Sequence, residues 1–169
     1  MDNLLAFELD KPKCNPRLLL DSGPPRALYR VNPRLIFGKT WWDEVRQWAY
    51  KKYNNSCAAC GKQRTKLEAH EMYEVNKKTG KVTIKDIVPL CWKCHSFIHQ
   101  DLHRTMLQRS EIKASDITAV LLHGRTILKK YKIRYCKKDP NDCQIKYEDW
   151  RLVLNGIEYG PVNGNVNGK

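Results

Sequence analysis

The chain lacks any run of about 18 consecutive apolar residues, so no transmembrane helix is expected. Its opening stretch, MDNLLAFELDKPKC, has neither a basic start nor a long apolar core, which argues against a secretory signal. No internal repeat of structural-unit size is present. Acid is also in short supply. The 169 residues hold 18 Asp and Glu against 31 Lys and Arg, a formal net charge of +13. The excess is not confined to one tail; basic residues recur through 26–39, 46–66, 77–85 and 125–138. Such a balance points to a polyanionic partner, nucleic acid, DNA or RNA, with a merely solvated basic surface as the plainer alternative. At 41% hydrophobic the chain can bury one modest core, so one compact domain with extensions is expected.

Cysteine, by contrast, is plentiful, with seven residues. Without a secretory signal these favour thiols and metal over disulfides, and a cytoplasmic, reducing compartment. Four of them form two pairs, Cys57-Ala-Ala-Cys60 and Cys91-Trp-Lys-Cys94. Two C-x-x-C pairs supply enough thiolates for one tetrahedral zinc and leave no position for water. That makes a cross-link, and Gly61 after the first pair suits a tight knuckle turn. Cys57, Cys60, Cys91 and Cys94 are therefore assigned to structural Zn2+, against four reduced core cysteines. Cys14, Cys136 and Cys143 are read as inert thiols.

The rest of the chain is read around that core. Residues 1–38 are rich in Pro and Arg and show no steady period, which predicts an irregular arm with one short strand at 27–31. The arm either wraps the domain and touches DNA backbone or is a mobile tail. A helix is predicted from Thr40 to about Tyr53, with Trp41, Val45, Trp48 and Ala49 on one face. The tryptophans are read as core; Arg46, Lys51 and Lys52 stay exposed to meet phosphates. Residues 67–84 read as a β-hairpin turning at 76–81. A helix follows from about His95 to Gln108, and another from Ser115 to Tyr131, with Asp116 near its start and Ile117, Val120, Leu121, Ile127 and Leu128 buried. A loop at 137–142 precedes a hairpin over 150–159, where Asn155-Gly156 is a strong type I′ signal. The end, 161–169, is expected to be disordered. The resulting division is 1–38 arm, 39–109 core, 110–160 helix and hairpin extension, and 161–169 tail.

Three histidines remain around the knuckles. His95 and His99 are four apart on a predicted helix and share a face. His70 lies on the hairpin between the cysteine pairs. If zinc pins the helix start beside the hairpin, His70 approaches that face. Three imidazoles with open positions describe a catalytic rather than a structural metal. His103 continues the series a further turn along and is expected at the surface or on a phosphate. His123 has no partner in sequence.

These residues resemble those of the HNH endonucleases with a ββα-metal fold, in a zinc-containing variant. The resemblance rests on Cys57-x-x-Cys60, Leu67-Glu68-Ala69-His70-Glu71 and Pro89-Leu90-Cys91-x-x-Cys94-His95-x-x-x-His99. The preceding Trp-x-x-Val-Arg helix is similar to what precedes such cores, and the C-terminal Trp150-Arg-Leu-Val-Leu stretch is similar to a tail on some phage-type members. The resemblance implies an α+β fold: a small zinc-stapled ββα-metal core with flanking helices and a C-terminal β-hairpin.

It further implies that His70, His95 and His99 hold a divalent catalytic metal, Mg2+, Mn2+, Ni2+ or Zn2+. That metal would bind a phosphate oxygen and the leaving 3′ oxygen. Where colicin-type members carry a histidine base, this chain has Glu71; where they carry an asparagine, it has Asp86. Glu71 is the candidate base, against a salt bridge to Lys66 or Lys85. Asp86 orients a loop or reaches the metal, and the loop role is preferred. The implied activity is metal-dependent hydrolysis of DNA phosphodiester bonds to 5′-phosphate and 3′-hydroxyl ends. Arg125, Lys129, Lys130, Lys132 and Arg134, with Arg46, Lys51 and Lys52, would hold the DNA backbone. No recognition helix stands out. The rival readings are a non-catalytic zinc module that binds nucleic acid and an inhibitor or accessory protein on the same scaffold, which would need a protein partner.

Overall fold

A computed structural model describes residues 14–162. The chain divides into two compact units. Among the described residues, one is built from 14–19, Arg46–His70 and Val88–Tyr135, the other from Leu20–Val45, Glu71–Ile87 and 136–162. Helix α1 (Pro33–Lys52) and the long hairpin strands β1 (Leu67–Asn76) and β2 (Lys81–Cys91) contribute residues to both. The remaining helices are α2 (Trp92–Ile98), α3 (His103–Gln108) and α4 (Ala114–Lys130). Strands β3 (Arg151–Leu154) and β4 (Ile157–Tyr159) complete a four-stranded sheet in the order β1-β2-β3-β4. The fold class is therefore α+β, as expected. Among the described residues no helix is long and apolar enough to cross a membrane.

The second unit is a small sheet with its own core. Strand β3 pairs parallel to β2, Val82 opposite Leu152, and antiparallel to β4, Val153 opposite Glu158. The tight β3–β4 turn has Asn155 at φ 50° and Gly156 at φ 79°, the two positive values a type I′ turn needs. Val82, Trp150 and Leu152 pack with Ala27, Leu28 and Val31. Those last three correct the expected strand at 27–31. After Pro24 and Pro25 the chain forms a single 3-10 turn over Arg26–Leu28, closed by Leu28 N–H donating to Pro25 O at 2.9 Å. Proline fixes φ near the value such a turn requires. This stretch of the predicted arm is thus part of a core; residues 1–13 of it, and 163–169 of the predicted tail, lie outside the described residues.

Helix α1 begins earlier than the predicted Thr40 but is interrupted at Gly38, whose φ of 85° and ψ of 175° break the helical path. Glycine has no Cβ and takes that conformation cheaply. Beyond the break Trp42 and Ala49 are buried, whereas Trp48 is 52% exposed, so reading all the tryptophans as core was wrong for Trp48.

In the first unit, α2 and α4 pack together with Phe97 against Gly124. The predicted helix from His95 to Gln108 is in fact broken. It ends at His99 (φ −94°, ψ 41°), passes through a 3-10 turn and restarts at His103. His103 is buried and bonds to the Ser96 side chain at 2.9 Å and to the Ser96 carbonyl at 3.0 Å, which corrects its expected place at the surface. Helix α4 starts with Lys113 N–H donating to Asp116 Oδ2 at 3.1 Å, and buries Val120, Gly124 and Leu128.

A Cβ on Gly124 would lie 2.2 Å from the Phe97 ring. Gly124→Ala must therefore push the helices apart, at about 1–3 kcal/mol. The expected fall in melting temperature is roughly 3–10 °C. At an uncrowded helix position the same change would raise stability, by about 1 kcal/mol. Thermal unfolding reads the sign, and an unchanged or higher midpoint would contradict this packing.

Candidate metal centre

The cysteine cluster joins two places in the chain. Cys57 and Cys60 sit in the turn after α1, where Gly61 N–H donates to Cys57 O at 2.8 Å and Gly61 takes φ 74°. Cys91 ends β2 and Cys94 lies in the first turn of α2. Ala58 N–H donates to Pro89 O at 2.7 Å and ties the turn to the strand. The four sulfurs all lie within 4.8 Å of one another. Cys60 and Cys91 Sγ are 3.9 Å apart, far beyond a disulfide of about 2.05 Å. Zinc–sulfur bonds of about 2.3 Å in a tetrahedron put neighbouring sulfurs at about 3.8 Å. The donor set thus fits a structural zinc.

The thiols also show why a cation belongs there. Hydrogen bonding from Cys60 holds the Cys57 thiol down to about 6, while the same contact pushes Cys60 up. Cys91 is likewise held below the usual thiol range, first by Cys57, and Cys94 is pushed above it. Without a cation, four thiolates this close would repel one another. A divalent ion lets all four be thiolates. His123 of α4 places Nε2 3.4 Å from Cys94 Sγ, a partner that the sequence did not reveal.

The histidines come together as expected. Nitrogen donors of His70, His95 and His99 lie within 4.8 Å of one another. His99 Nε2 is 3.2 Å from His70 Nδ1, close to the separation of about 3.3 Å for two nitrogens on one tetrahedral zinc. The rings stand nearly edge to face, at 65–83°, about a common point. His70 is buried; His95 and His99 are half-exposed. His95 Nδ1 bonds to Glu68 Oε2 at 2.6 Å, which frees Nε2 to face the other rings. This hydrogen bond, aided by Lys66 and opposed by burial, holds the Glu68 carboxyl below the usual range. Carboxylate behind imidazole is the usual support of a metal-ligating histidine.

Glu68 was missed as a site residue. The signal was available, since residues two apart on a strand share a face, and Glu68 precedes His70 by two. Glu71 follows His70 directly, so its side chain leaves the other face of β1. Of the two lysines considered for it, Lys85 pairs with Glu74 at 2.8 Å. Asp86 sits inside β2 rather than in a loop, and its Oδ1 accepts from the next residue's N–H at 2.8 Å.

Of the predicted phosphate contacts, Lys51, Arg125, Lys129, Lys130, Lys132 and Arg134 are exposed, and Arg46 and Lys52 half-buried. Lys52 Nζ lies 5.1 Å from the centre of the exposed Trp48 ring. Arg125 and Lys129 are one turn apart on α4, whose C-terminal end favours cations in any case. No protein-family model matches the chain, and neither a curated protein nor a solved structure does.

Metal analysis of the folded protein is expected to find zinc on the cysteines, and Cys94→Ser to lose cooperative unfolding, because a structural zinc supplies folding free energy. Folded protein free of zinc would refute the assignment. The pH dependence has a definite sign. Zinc binding requires the cysteines as thiolates and releases their protons, so zinc uptake by the stripped protein should weaken as pH falls, followed with a chromogenic chelator.

Proposed function

We propose that this protein is a metal-dependent endonuclease that hydrolyses DNA phosphodiester bonds, leaving 5′-phosphate and 3′-hydroxyl ends. The observation that carries this reading is the convergence of His70, His95 and His99, with Glu68 behind His95. A structural site would be closed by a fourth protein ligand; three imidazoles leave positions for substrate and water. A divalent cation held there would supply Lewis-acid stabilisation of the charge that builds on the phosphate.

The chain's own groups have separable tasks. Burial of His70 fixes one donor, and the bond to Glu68 fixes the tautomer and angle of His95. Glu71 stands at the base position of the resembled family and would take the proton from the attacking water. An ordinary glutamate is ionised at neutral pH and suits that task. Its departure on the opposite strand face from His70 makes it the residue most in need of a direct test. The net charge of +13 and the exposed cations of α4 support a polyanionic substrate.

Purified protein is expected to nick supercoiled plasmid with Mg2+, Mn2+ or Ni2+, and His95→Ala to abolish this. Glu71→Gln should keep metal binding and lose about 100-fold or more in rate. Glu68→Gln should instead weaken metal binding by about 10–100-fold, with turnover recovered at high metal. Absence of cutting with every metal would replace this reading with the non-catalytic, nucleic-acid-binding one.

Duplex binding should also weaken steeply with salt. Charge reversal at Lys129 and Lys130 should reduce the log–log slope by about 0.9 per lost phosphate contact. An unchanged slope would place the DNA path elsewhere.

A further inference from the structure

We propose that a cavity at the start of β1 receives a nucleobase of the strand whose phosphate reaches the histidine trio, and so sets a base preference beside the cut. This rests on the nuclease reading above and adds a binding site to it. The cavity measures about 410 Å3 and lies between the end of α1 and the loop leading into β1. Tyr50, Asn54, Asn55, Gln63, Arg64 and Thr65 line it. That volume falls within the range of small-ligand sites, roughly 300–1,000 Å3.

The walls are tied together. Tyr50 hydroxyl donates to Leu67 O at 3.0 Å and binds the helix end to the strand. Asn55 N–H donates to Tyr50 O at 2.8 Å, and Asn54 N–H to Lys51 O at 2.9 Å. Asn54, Asn55 and Arg64 all take left-handed conformations, with φ of 52°, 51° and 50°. Asparagine enters that region readily; arginine does so less often. Three such residues around one cavity are a concentration of backbone strain of the kind found where a ligand is held.

Apart from Tyr50, the polar lining side chains are uncommitted. Among the described residues, Asn54, Asn55, Gln63, Arg64 and Thr65 have no side-chain hydrogen bond or ion pair with one another or elsewhere. Their chemistry selects the ligand class. Three carboxamides each offer a donor and an acceptor, the complement of a base edge. Tyr50 offers a ring face for stacking. Arg64 offers a guanidinium for the adjoining phosphate or for stacking. No carboxylate lines the cavity, which disfavours a cation, and the polar rim disfavours a lipid chain.

Position links the cavity to the trio. Leu67, at its edge, opens β1, and His70 lies three residues on and on the other strand face, so a bound strand would reach from one to the other around the start of β1. At about 3.3 Å per residue this is roughly 10 Å. Successive nucleotides of a stacked strand advance about 3.4 Å along its axis, so the held base belongs within about three nucleotides of the phosphate at the trio. A base preference would then arise without a recognition helix, which the sequence does not offer.

The test uses the full, zinc-loaded chain. Side-chain NH2 resonances of Asn54, Asn55 and Gln63 are followed by NMR during titration with hexanucleotides dA6, dC6 and dT6 and with an abasic hexamer. The expected result is shifts at these amides that differ between bases and vanish with the abasic strand. Discrimination between best and worst base should be about tenfold or more, and Asn54→Ala with Gln63→Ala should reduce it below about twofold while the salt-dependent affinity stays. Amides that do not move, or that move equally with the abasic strand, would overturn the proposal. Sequencing of cut ends separates the two claims. Cutting with unmoved amides refutes the pocket alone, and base-dependent shifts without cutting refute the nuclease alone.

Discussion

The first unit depends on drawing together four thiols from two distant turns. Cys57 and Cys60 follow α1, whereas Cys91 and Cys94 straddle the passage from β2 into α2. Four adjacent sulfurs without a cation must share protons, as the depressed Cys57 and raised Cys60 show. A zinc ion would remove that conflict and make the strand-to-helix passage rigid. The passage is what the histidines need. His95 is the residue after Cys94, His99 is one turn further, and His70 comes from the neighbouring strand. Cross-link and trio are therefore coupled through the first turn of α2.

Much of this was legible in the sequence because spacing alone encodes it. Two C-x-x-C pairs announce their geometry through the reach of a knuckle turn, and an i, i+4 histidine pair announces a helix face. Asn155-Gly156 likewise demanded two positive φ values and has them. What stayed hidden lay in choices that depend on tertiary packing. The helix break at His99 has no proline or glycine to signal it. The buried position of His103 follows from a bond to Ser96 across that break. The 27–31 stretch carries no period that distinguishes a strand from the single 3-10 turn it forms after Pro24 and Pro25. Trp48 shared a helical face with Trp41 in the periodic pattern, yet Trp42 and Ala49 mark the buried side. Glu68 was missed because attention fell on Glu71, its neighbour in the resembled motif, rather than on the strand alternation that links Glu68 to His70.

Two carboxylates near His70 thus carry different tasks. Glu68 is committed to His95 by a hydrogen bond, which makes it a positioning residue. Glu71 owes its proposed role to the resembled motif. Under the proposed nuclease reading the two separate by rescue, since high metal would offset loss of Glu68 but not loss of Glu71. Under the proposed reading, the uncommitted polar cavity beside Leu67 would supply base preference and the basic face of α4 would supply affinity.

The central claim is that the cysteine cross-link builds the histidine trio. Cobalt titration of the stripped protein tests it most directly, since sulfur and nitrogen ligands give distinct spectra. The expected result is sequential loading: a first equivalent with intense sulfur-to-cobalt charge-transfer bands, then a second with weaker d–d bands alone that His95→Ala removes. In Cys94→Ser protein the second set of bands should be missing as well. Nitrogen-ligated cobalt binding undiminished in Cys94→Ser would contradict the claim and show that the trio assembles without the cross-link.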